Sequence, residues 1–152
     1  MKNVLFAWLG LTDIDASKGD KRKGLGPIAQ ALKEKDFDDL VLITNLSEKV
    51  NKSYIKWLSS QTKVRILENK AKLQSPTHFG DIYESAVKII EAVKKKFKSE
   101  FEIFFHLSPG TPHMASVWII LSKTRYPAQL IETSPHQKGF QITTIPFDIS
   151  AD

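Results

Sequence analysis

The chain has 152 residues, of which 41% are hydrophobic and 26% charged, proportions that are ordinary for a globular domain with one core. It has no cysteine, which excludes disulfide scaffolds, cysteine-ligated zinc and thiol catalysis. Its 22 Lys and Arg residues against 17 Asp and Glu give a net charge of +5, which favours an anionic partner. The apolar runs are too short to cross a bilayer and no signal peptide is evident, so we expect a cytoplasmic protein without a membrane partner.

The first half of the chain alternates between apolar strand-like segments and amphipathic helical ones. Residues 3–9 are almost uniformly apolar, which is typical of a strand covered on both faces. After a polar loop, a helix is predicted over residues 27–36, with Pro27 at its first position. Residues 40–44 form the second predicted strand. Ser47 is then placed to cap a helix with an apolar stripe of Val50, Tyr54, Trp57 and Leu58.

The second half continues the alternation. A third strand is predicted over residues 64–67 and a long helix over residues 80–97, whose lysine-rich last turn suits the helix macrodipole. A fourth strand over residues 102–107 precedes a helix that begins at Thr111 and Pro112. The last two strands, residues 128–132 and 141–145, are joined by a segment too short for a crossover helix, so they are predicted to pair antiparallel.

This order predicts a Rossmann-like α/β fold. Strands that alternate with helices form right-handed βαβ units, so we expect a three-layer sandwich around a mainly parallel sheet of about six strands, with a C-terminal antiparallel hairpin. The chain has no internal repeat, low-complexity tract or linker, so residues 1–152 are predicted to form one domain. Because residues 149–152 closely follow the last strand, we expect this domain to be part of a longer protein.

The turn after the fourth strand is the main candidate site. Ligands of open α/β sheets bind beyond the carboxyl ends of the strands, where the strand order reverses. Gly110 can bring the backbone close to a ligand, while Ser108 and Thr111 offer hydroxyl groups beside Pro109. The N–H groups at the start of the following helix suit an anion, so a phosphate site is predicted; an ordinary turn with a helix cap is the alternative.

The loop after the first strand faces this turn if the two strands are neighbours. Gly10, Thr12 and Asp13 lie there, and we expect Thr12 to donate to a ligand and Asp13 to accept from a ribose hydroxyl. A plain turn is the alternative. Asp13 and Asp15 lack a third ligand nearby, so no metal site is predicted.

Further polar residues are predicted at the same edge of the sheet. Among the histidines, His113 alone is placed near a ligand, His106 is assigned to the core or its rim, and none shows metal-ligand spacing. A basic loop could close over a nucleotide chain or simply be solvated. The remaining candidates are Asn45, Ser75 and Thr77, and the basic loop comprises Lys18, Lys21, Arg22 and Lys23.

Motifs of common catalytic and cofactor sites are missing from the sequence. It contains no dinucleotide-binding glycine fingerprint, no Walker loop and no nucleophile elbow, so we predict no catalytic residue and no cofactor. Hydroxyl groups and backbone donors dominate the candidate site, which is better suited to binding than to catalysis.

One long segment also carries a family resemblance. Residues 105–118 read FHLSPGTPHMASVW, and residues 121–128 continue with LSKTRYPA. With GLTD at residues 10–13 and SPT at residues 75–77, the chain closely resembles the sensor domains of regulators of the RNA terminal phosphate cyclase operon, which belong to the CRISPR-associated Rossmann fold (CARF) class. The resemblance covers essentially the whole chain.

The resemblance implies a homodimeric ligand sensor at the N-terminus of a sigma-54-dependent transcription activator, ahead of an ATPase module and a DNA-binding domain. Its implied ligand is an RNA end with a cyclic phosphate or a cyclic oligoadenylate. Two alternatives remain open: a metal-independent ring nuclease using Thr12, Ser108 and His113, and an interaction module without a ligand.

Overall fold

The computed structural model describes residues 1–134 and 140–146. In chain order its elements are β1 (Lys2–Trp8), α1 (Leu11–Ser17), α2 (Pro27–Glu34), β2 (Asp39–Thr44), α3 (Glu48–Gln61), β3 (Arg65–Lys70), α4 (Phe79–Lys96), β4 (Phe101–His106), α5 (Pro112–Thr124), β5 (Gln129–Thr133) and β6 (Phe140–Thr143). One turn of 3-10 helix, Lys21–Lys23, lies between α1 and α2.

These strands form one twisted sheet in the order β3-β2-β1-β4-β5-β6. All neighbouring pairs are parallel except β5 and β6, which are antiparallel. The Rossmann-like fold with its C-terminal antiparallel pair is therefore confirmed. Most of the joint predicted between these two strands, including His136, lies outside the described residues, as do residues 149–152.

Helices cover both faces of the sheet, which explains why β1 and β2 are apolar nearly throughout. On one face, α4 and α5 pack with Phe6, Trp8 and Phe105, and the Phe105 ring stacks on Trp118 with centroids 4.3 Å apart. On the other face, α1, α2 and α3 pack against Leu5 and Leu42. The predicted core positions of Trp8 and Trp118 are confirmed, whereas Trp57 is only partly buried.

Most predicted boundaries agree with the structure to within two residues. The largest difference is in β3, which continues to Lys70 instead of ending at Leu67. As an edge strand it is half exposed, so polar residues such as Glu68 belong to it and the apolar run underestimates its length.

The segment after β1 corrects the prediction more substantially. Residues 10–15 were expected to form a loop, but Leu11–Ser17 is a helix that begins directly after Gly10. The Asp13 carboxylate accepts a hydrogen bond of 3.0 Å from the Gly10 N–H, which satisfies one of the free N–H groups at the helix start. No helix within the described residues combines the length and apolar character needed to cross a membrane.

The stacked aromatic pair in the α4/α5 layer provides a stability test. We expect Trp118→Ala to lower the free energy of unfolding by about 3–5 kcal/mol, because it removes a fully buried side chain and leaves a cavity. Ile120→Ala, on the same helix but 43% exposed, should change it by less than about 1 kcal/mol. Chemical denaturation of the three proteins checks this, and equal losses in both variants would contradict it.

Candidate ligand-binding site

The strand order reverses between β1 and β4, and a cleft opens at their carboxyl ends. Its volume is about 250 Å³. The first residues after β1, β2 and β4 contribute to its walls, together with the start of α5 and one residue of the loop before α4. The lining residues are Leu9, Gly10, Leu11, Thr12, Asn45, Leu46, Pro76, Ser108, Gly110, Thr111 and Met114.

Two glycines let the walls of this cleft meet. A Cβ atom on Gly10 would lie 2.5 Å from the backbone nitrogen of Gly110, which is too close for any side chain. Gly110 has a φ of 85°, and a Cβ atom there would lie 2.6 Å from the Met114 sulfur. Both positions therefore require glycine, Gly10 for close approach and Gly110 also for its backbone conformation.

Thr111 joins the β4–α5 turn to the loop before α4. Its hydroxyl accepts from the Met114 N–H at 3.3 Å, as predicted for a helix cap, and donates to the Pro76 carbonyl at 2.7 Å. The Thr111 N–H donates to the Met114 sulfur at 3.4 Å, and Pro112 has no N–H. The Thr111 hydroxyl and two N–H donors at the helix start are thus engaged within the chain, which leaves fewer groups for an anion than the sequence predicted.

Ser108 retains a donor for a ligand. Its hydroxyl oxygen accepts from the Thr133 N–H at 2.8 Å, and that bond leaves the hydroxyl proton unused. The Thr133 hydroxyl in turn donates to the Pro27 carbonyl at 3.0 Å and lies 2.9 Å from His106 Nε2. Strand β5 therefore fixes the position of Ser108.

His106 is buried beneath Ser108 and belongs to the core, as predicted. Because the Thr133 proton is directed to Pro27, the Nε2–H of His106 donates to Thr133. Burial lowers the pKa of His106 to about 3, so the ring is neutral at physiological pH. His106 does not line the cleft, and it bonds to Thr133, the residue whose N–H holds Ser108.

Asp13 requires a correction. The structure places it inside the fold, with no exposed surface, where its two carboxylate oxygens accept from the N–H groups of Gly10 and Ile28 at 3.0 Å each. It therefore ties the starts of α1 and α2 together and does not reach a ribose in the cleft. Burial raises its pKa to about 7, against the lowering effect of the N–H donors.

Thr12 and Asn45 do line the cleft, Thr12 just after β1 and Asn45 just after the neighbouring strand β2. The loop that carries Asn45 is held by buried Asn51, a residue that the sequence reasoning missed. Asn51 accepts from the Thr44 hydroxyl at 2.7 Å and donates to the Leu46 carbonyl at 3.1 Å. A polar residue on the apolar side of a helix was the available signal.

Besides Asp13, four predicted ligand contacts lie outside the cleft lining: Ser75, Thr77, Pro109 and His113. The Ser75 and Thr77 hydroxyls are 3.2 Å apart and bond to each other, while Pro76 between them faces the cleft. His78 caps the following helix, its Nδ1 accepting from the Asp81 N–H at 3.1 Å. The His113 ring contacts Phe79, with centroids 4.8 Å apart, and Pro109 is buried behind the turn.

The basic loop follows α1 and lies apart from the cleft. Lys18, Lys21 and Arg22 are exposed and Lys23 is partly buried, and none of them lines the cleft. Asp20 starts the 3-10 turn there and bonds to the Arg22 guanidinium at 3.2 Å. Closure of this loop over a ligand stays a prediction.

The sequence reasoning also missed Met114 and Leu11 as parts of the site. Met114 is buried in the core, and its sulfur also lies 3.4 Å from the Thr111 backbone nitrogen and lines the cleft. Leu11 is 71% exposed at the rim, which is unusual for leucine. The described residues contain no cluster of three or more acidic or histidine side chains that could hold a metal ion.

A family model described as Regulator of RNA terminal phosphate cyclase (RtcR) matches residues 1–150. The chain belongs to the RtcR family. The predicted resemblance to these regulators is therefore confirmed, and membership in the RtcR family supports a regulatory, ligand-sensing role.

The RtcR-family chain is also similar to a solved structure, Enterococcus italicus Csm6 bound to cyclic hexa-2'-fluoro-hexa-dAMP. The TM-score is 0.73 at 18% sequence identity, and the match covers 90% of this chain but only 34% of Csm6. This similarity supports the Rossmann-like CARF fold. A search of the curated proteins gives no match.

The contact between the two glycines predicts a large effect of a small substitution. In Gly10→Ala, the new methyl group would overlap the Gly110 backbone, so we expect a loss of about 1–3 kcal/mol in unfolding free energy. Gly80→Ala is the control. Its added methyl group contacts only His78, at 3.4 Å, and alanine is favoured over glycine within a helix. Thermal or chemical denaturation measures both, and a neutral Gly10→Ala would contradict the close approach.

Asp13 predicts a specific dependence of stability on pH. Its pKa is raised from 3.8 to about 7 in the folded state, so between these values the unfolded chain releases its proton first. The Asp13 contribution to stability is therefore fully present below about pH 4 and is lost as pH rises to about 7. Between pH 5 and 8 we expect wild type to lose more stability than Asp13→Asn in urea titrations. If the stability of wild type and of Asp13→Asn changed with pH in parallel, Asp13 would be ionised over the whole range from pH 5 to 8, and the prediction would be wrong.

Proposed function

We propose that this domain senses an RNA-derived phosphate ligand, an RNA end with a cyclic phosphate or a cyclic oligoadenylate, in the cleft between β1 and β4. The observation that carries the proposal is the close approach of Gly10 and Gly110, which brings the backbone of two loops together in a cleft lined by both polar and apolar residues. Around it lie the hydroxyls of Thr12 and Ser108 and the amide of Asn45.

The chemistry of the cleft favours binding of a phosphodiester. No charged side chain is among its lining residues, which instead offer the Thr12 and Ser108 hydroxyls, the Asn45 amide and the backbone at Gly110. Such neutral donors, with a helix dipole behind them, stabilise a phosphate by short hydrogen bonds. The positive balance of the whole chain, +5, supports the approach of an anion.

Two comparisons support the class of ligand. The family model describes a regulator of RNA terminal phosphate cyclase, which connects the domain with RNA ends that carry phosphate. The similar Csm6 structure is bound to a cyclic hexa-adenylate analogue, which supports an oligonucleotide in a fold of this shape. With a volume of about 250 Å³, the cleft suits one nucleotide unit, so a longer ligand would extend beyond it.

In the longer protein, we propose that this domain forms a homodimer and controls a sigma-54-dependent activator through an ATPase module and a DNA-binding domain. Ligand binding would favour one arrangement of the two protomers, and the attached ATPase would respond to that arrangement. Residues 1–152 would be the N-terminal sensor of this assembly, acting in the cytoplasm.

Calorimetry with a ligand panel tests the proposal. The panel contains short RNAs ending in 2′,3′-cyclic phosphate, 3′-phosphate or hydroxyl, and cyclic tetra- and hexa-adenylate. We expect one class to bind, and we expect Thr12→Val and Asn45→Ala each to weaken it by roughly 2–10-fold, the value of one hydrogen bond.

Ser116→Ala is the matched control, because its hydroxyl bonds to the Pro112 carbonyl on α5 and does not line the cleft. No heat with any member of the panel, or equal weakening by the control, would reject the cleft as a sensor site. Chromatography of the ligand after hours of incubation separates sensing from cleavage, since a ring nuclease would leave linear products.

A further inference from the structure

A second cavity, the α1/α3 hollow, lies between helices α1 and α3 near the cleft. Its volume is about 300 Å³. The cleft is lined by the start of α1 and by Leu46, just before α3, whereas the hollow is lined by the following turn of each helix. Thr12 lines the cleft and Ser17 lines the hollow, and the distance between them along the axis of α1 is roughly 7.5 Å at a rise of 1.5 Å per residue.

The hollow combines an apolar floor with a positive rim. Ile14 and Val50 form much of the floor, while Lys18 and Lys49 stand at the rim, both exposed. Neither lysine takes part in an ion pair among the described residues. An apolar surface between two free ammonium groups suits a nucleobase with phosphates on either side.

The acidic residues close to this rim do not neutralise it. Glu48, next to Lys49, lies 3.6 Å from Lys52 and 3.8 Å from Lys70, so two other lysines compensate its charge. Asp15 on α1 is exposed and is not part of the lining. The charged side chains that line the hollow are therefore both positive.

Two lining residues of the hollow, Tyr54 and Ser17, carry hydroxyl groups. Tyr54 is 1% exposed, and its hydroxyl has no hydrogen-bond partner among the described residues. Ser17 donates its hydroxyl proton to the Ile14 carbonyl at 2.7 Å, which leaves its oxygen able to accept. The Tyr54 hydroxyl is itself enclosed, and its pKa is raised by burial and by the charge of Asp13, so Ser17 is the polar group that a ligand in the hollow can reach.

We propose that the α1/α3 hollow is a second nucleotide subsite, which binds the next unit of a single-stranded oligonucleotide whose end lies in the cleft. This inference rests on the proposed function and deepens it: the ligand has at least two nucleotides, and Lys18 and Lys49 contact its phosphates. Lys18 thereby acts from the edge of α1, without closure of the basic loop.

Calorimetry on the whole chain with two probes tests this. The probes are adenosine 2′,3′-cyclic phosphate and tri-adenylate ending in the same group. We expect Lys18→Ala/Lys49→Ala to bind the trinucleotide at least tenfold more weakly and the mononucleotide as wild type does. The slope of log Kd against log salt for the trinucleotide should fall by about 1.4, because each phosphate contact on a single strand contributes about 0.7.

Lys95→Ala/Lys96→Ala is the charge-matched control, since it removes two lysines from α4 on the opposite face of the sheet. We expect it to leave both affinities within twofold. Equal trinucleotide affinities in the two double variants would overturn the subsite.

Thr12→Val/Asn45→Ala separates the subsite from the proposed function. If this pair weakens the trinucleotide and the lysine pair does not, the subsite is wrong and the cleft stands. If only the lysine pair weakens it, the subsite stands and the cleft assignment fails. No binding of either probe to wild type at millimolar concentration rejects both.

Discussion

The backbone contact between Gly10 and Gly110 is the constraint on which the site depends. Strands β1 and β4 are neighbours, but the chain leaves β1 towards α1 on one face of the sheet and leaves β4 towards α5 on the other. Two loops that diverge in this way open a crevice. The two loops can still meet because position 10 is glycine, while Gly110 allows the positive φ of its turn and leaves room for Met114.

The parts of the fold that follow from local pattern could be predicted from the sequence. Buried central strands are apolar throughout, and long helices such as α4 repeat their apolar residues with the helical period, so both were placed correctly. Helix α1 has only seven residues and buries the acidic Asp13, so it lacks an apolar stripe. Its signal was an acid three residues after Gly10, a capping pattern that only the fold makes significant.

In the candidate site, too, the features that follow from the strand order could be predicted, whereas the hydrogen bonds between residues far apart in the chain could not. Gly10, Thr12, Asn45, Ser108, Gly110 and Thr111 were expected together at one edge because parallel strands end together, and all six line the cleft. The bond from Thr111 to Pro76 spans 35 residues, and Asp13 reaches Ile28 across 15. Such pairings depend on how the helices pack on the sheet, which cannot be inferred from the spacing of residues along the chain. They determine which side chains remain available to a ligand.

Two buried titratable groups on the same side of β1 and β4 have a joint consequence for the proton balance of folding. In the unfolded chain near pH 5, Asp13 is ionised and a histidine such as His106 is protonated, with ordinary pKa values of 3.8 and 6.5. In the folded domain these preferences are exchanged, because the same burial disfavours a charge of either sign. Folding therefore takes up a proton at one group and releases one at the other. From about pH 4 to 6.5 the two transfers nearly cancel, and the pair leaves almost no trace in the overall acid–base behaviour of the domain.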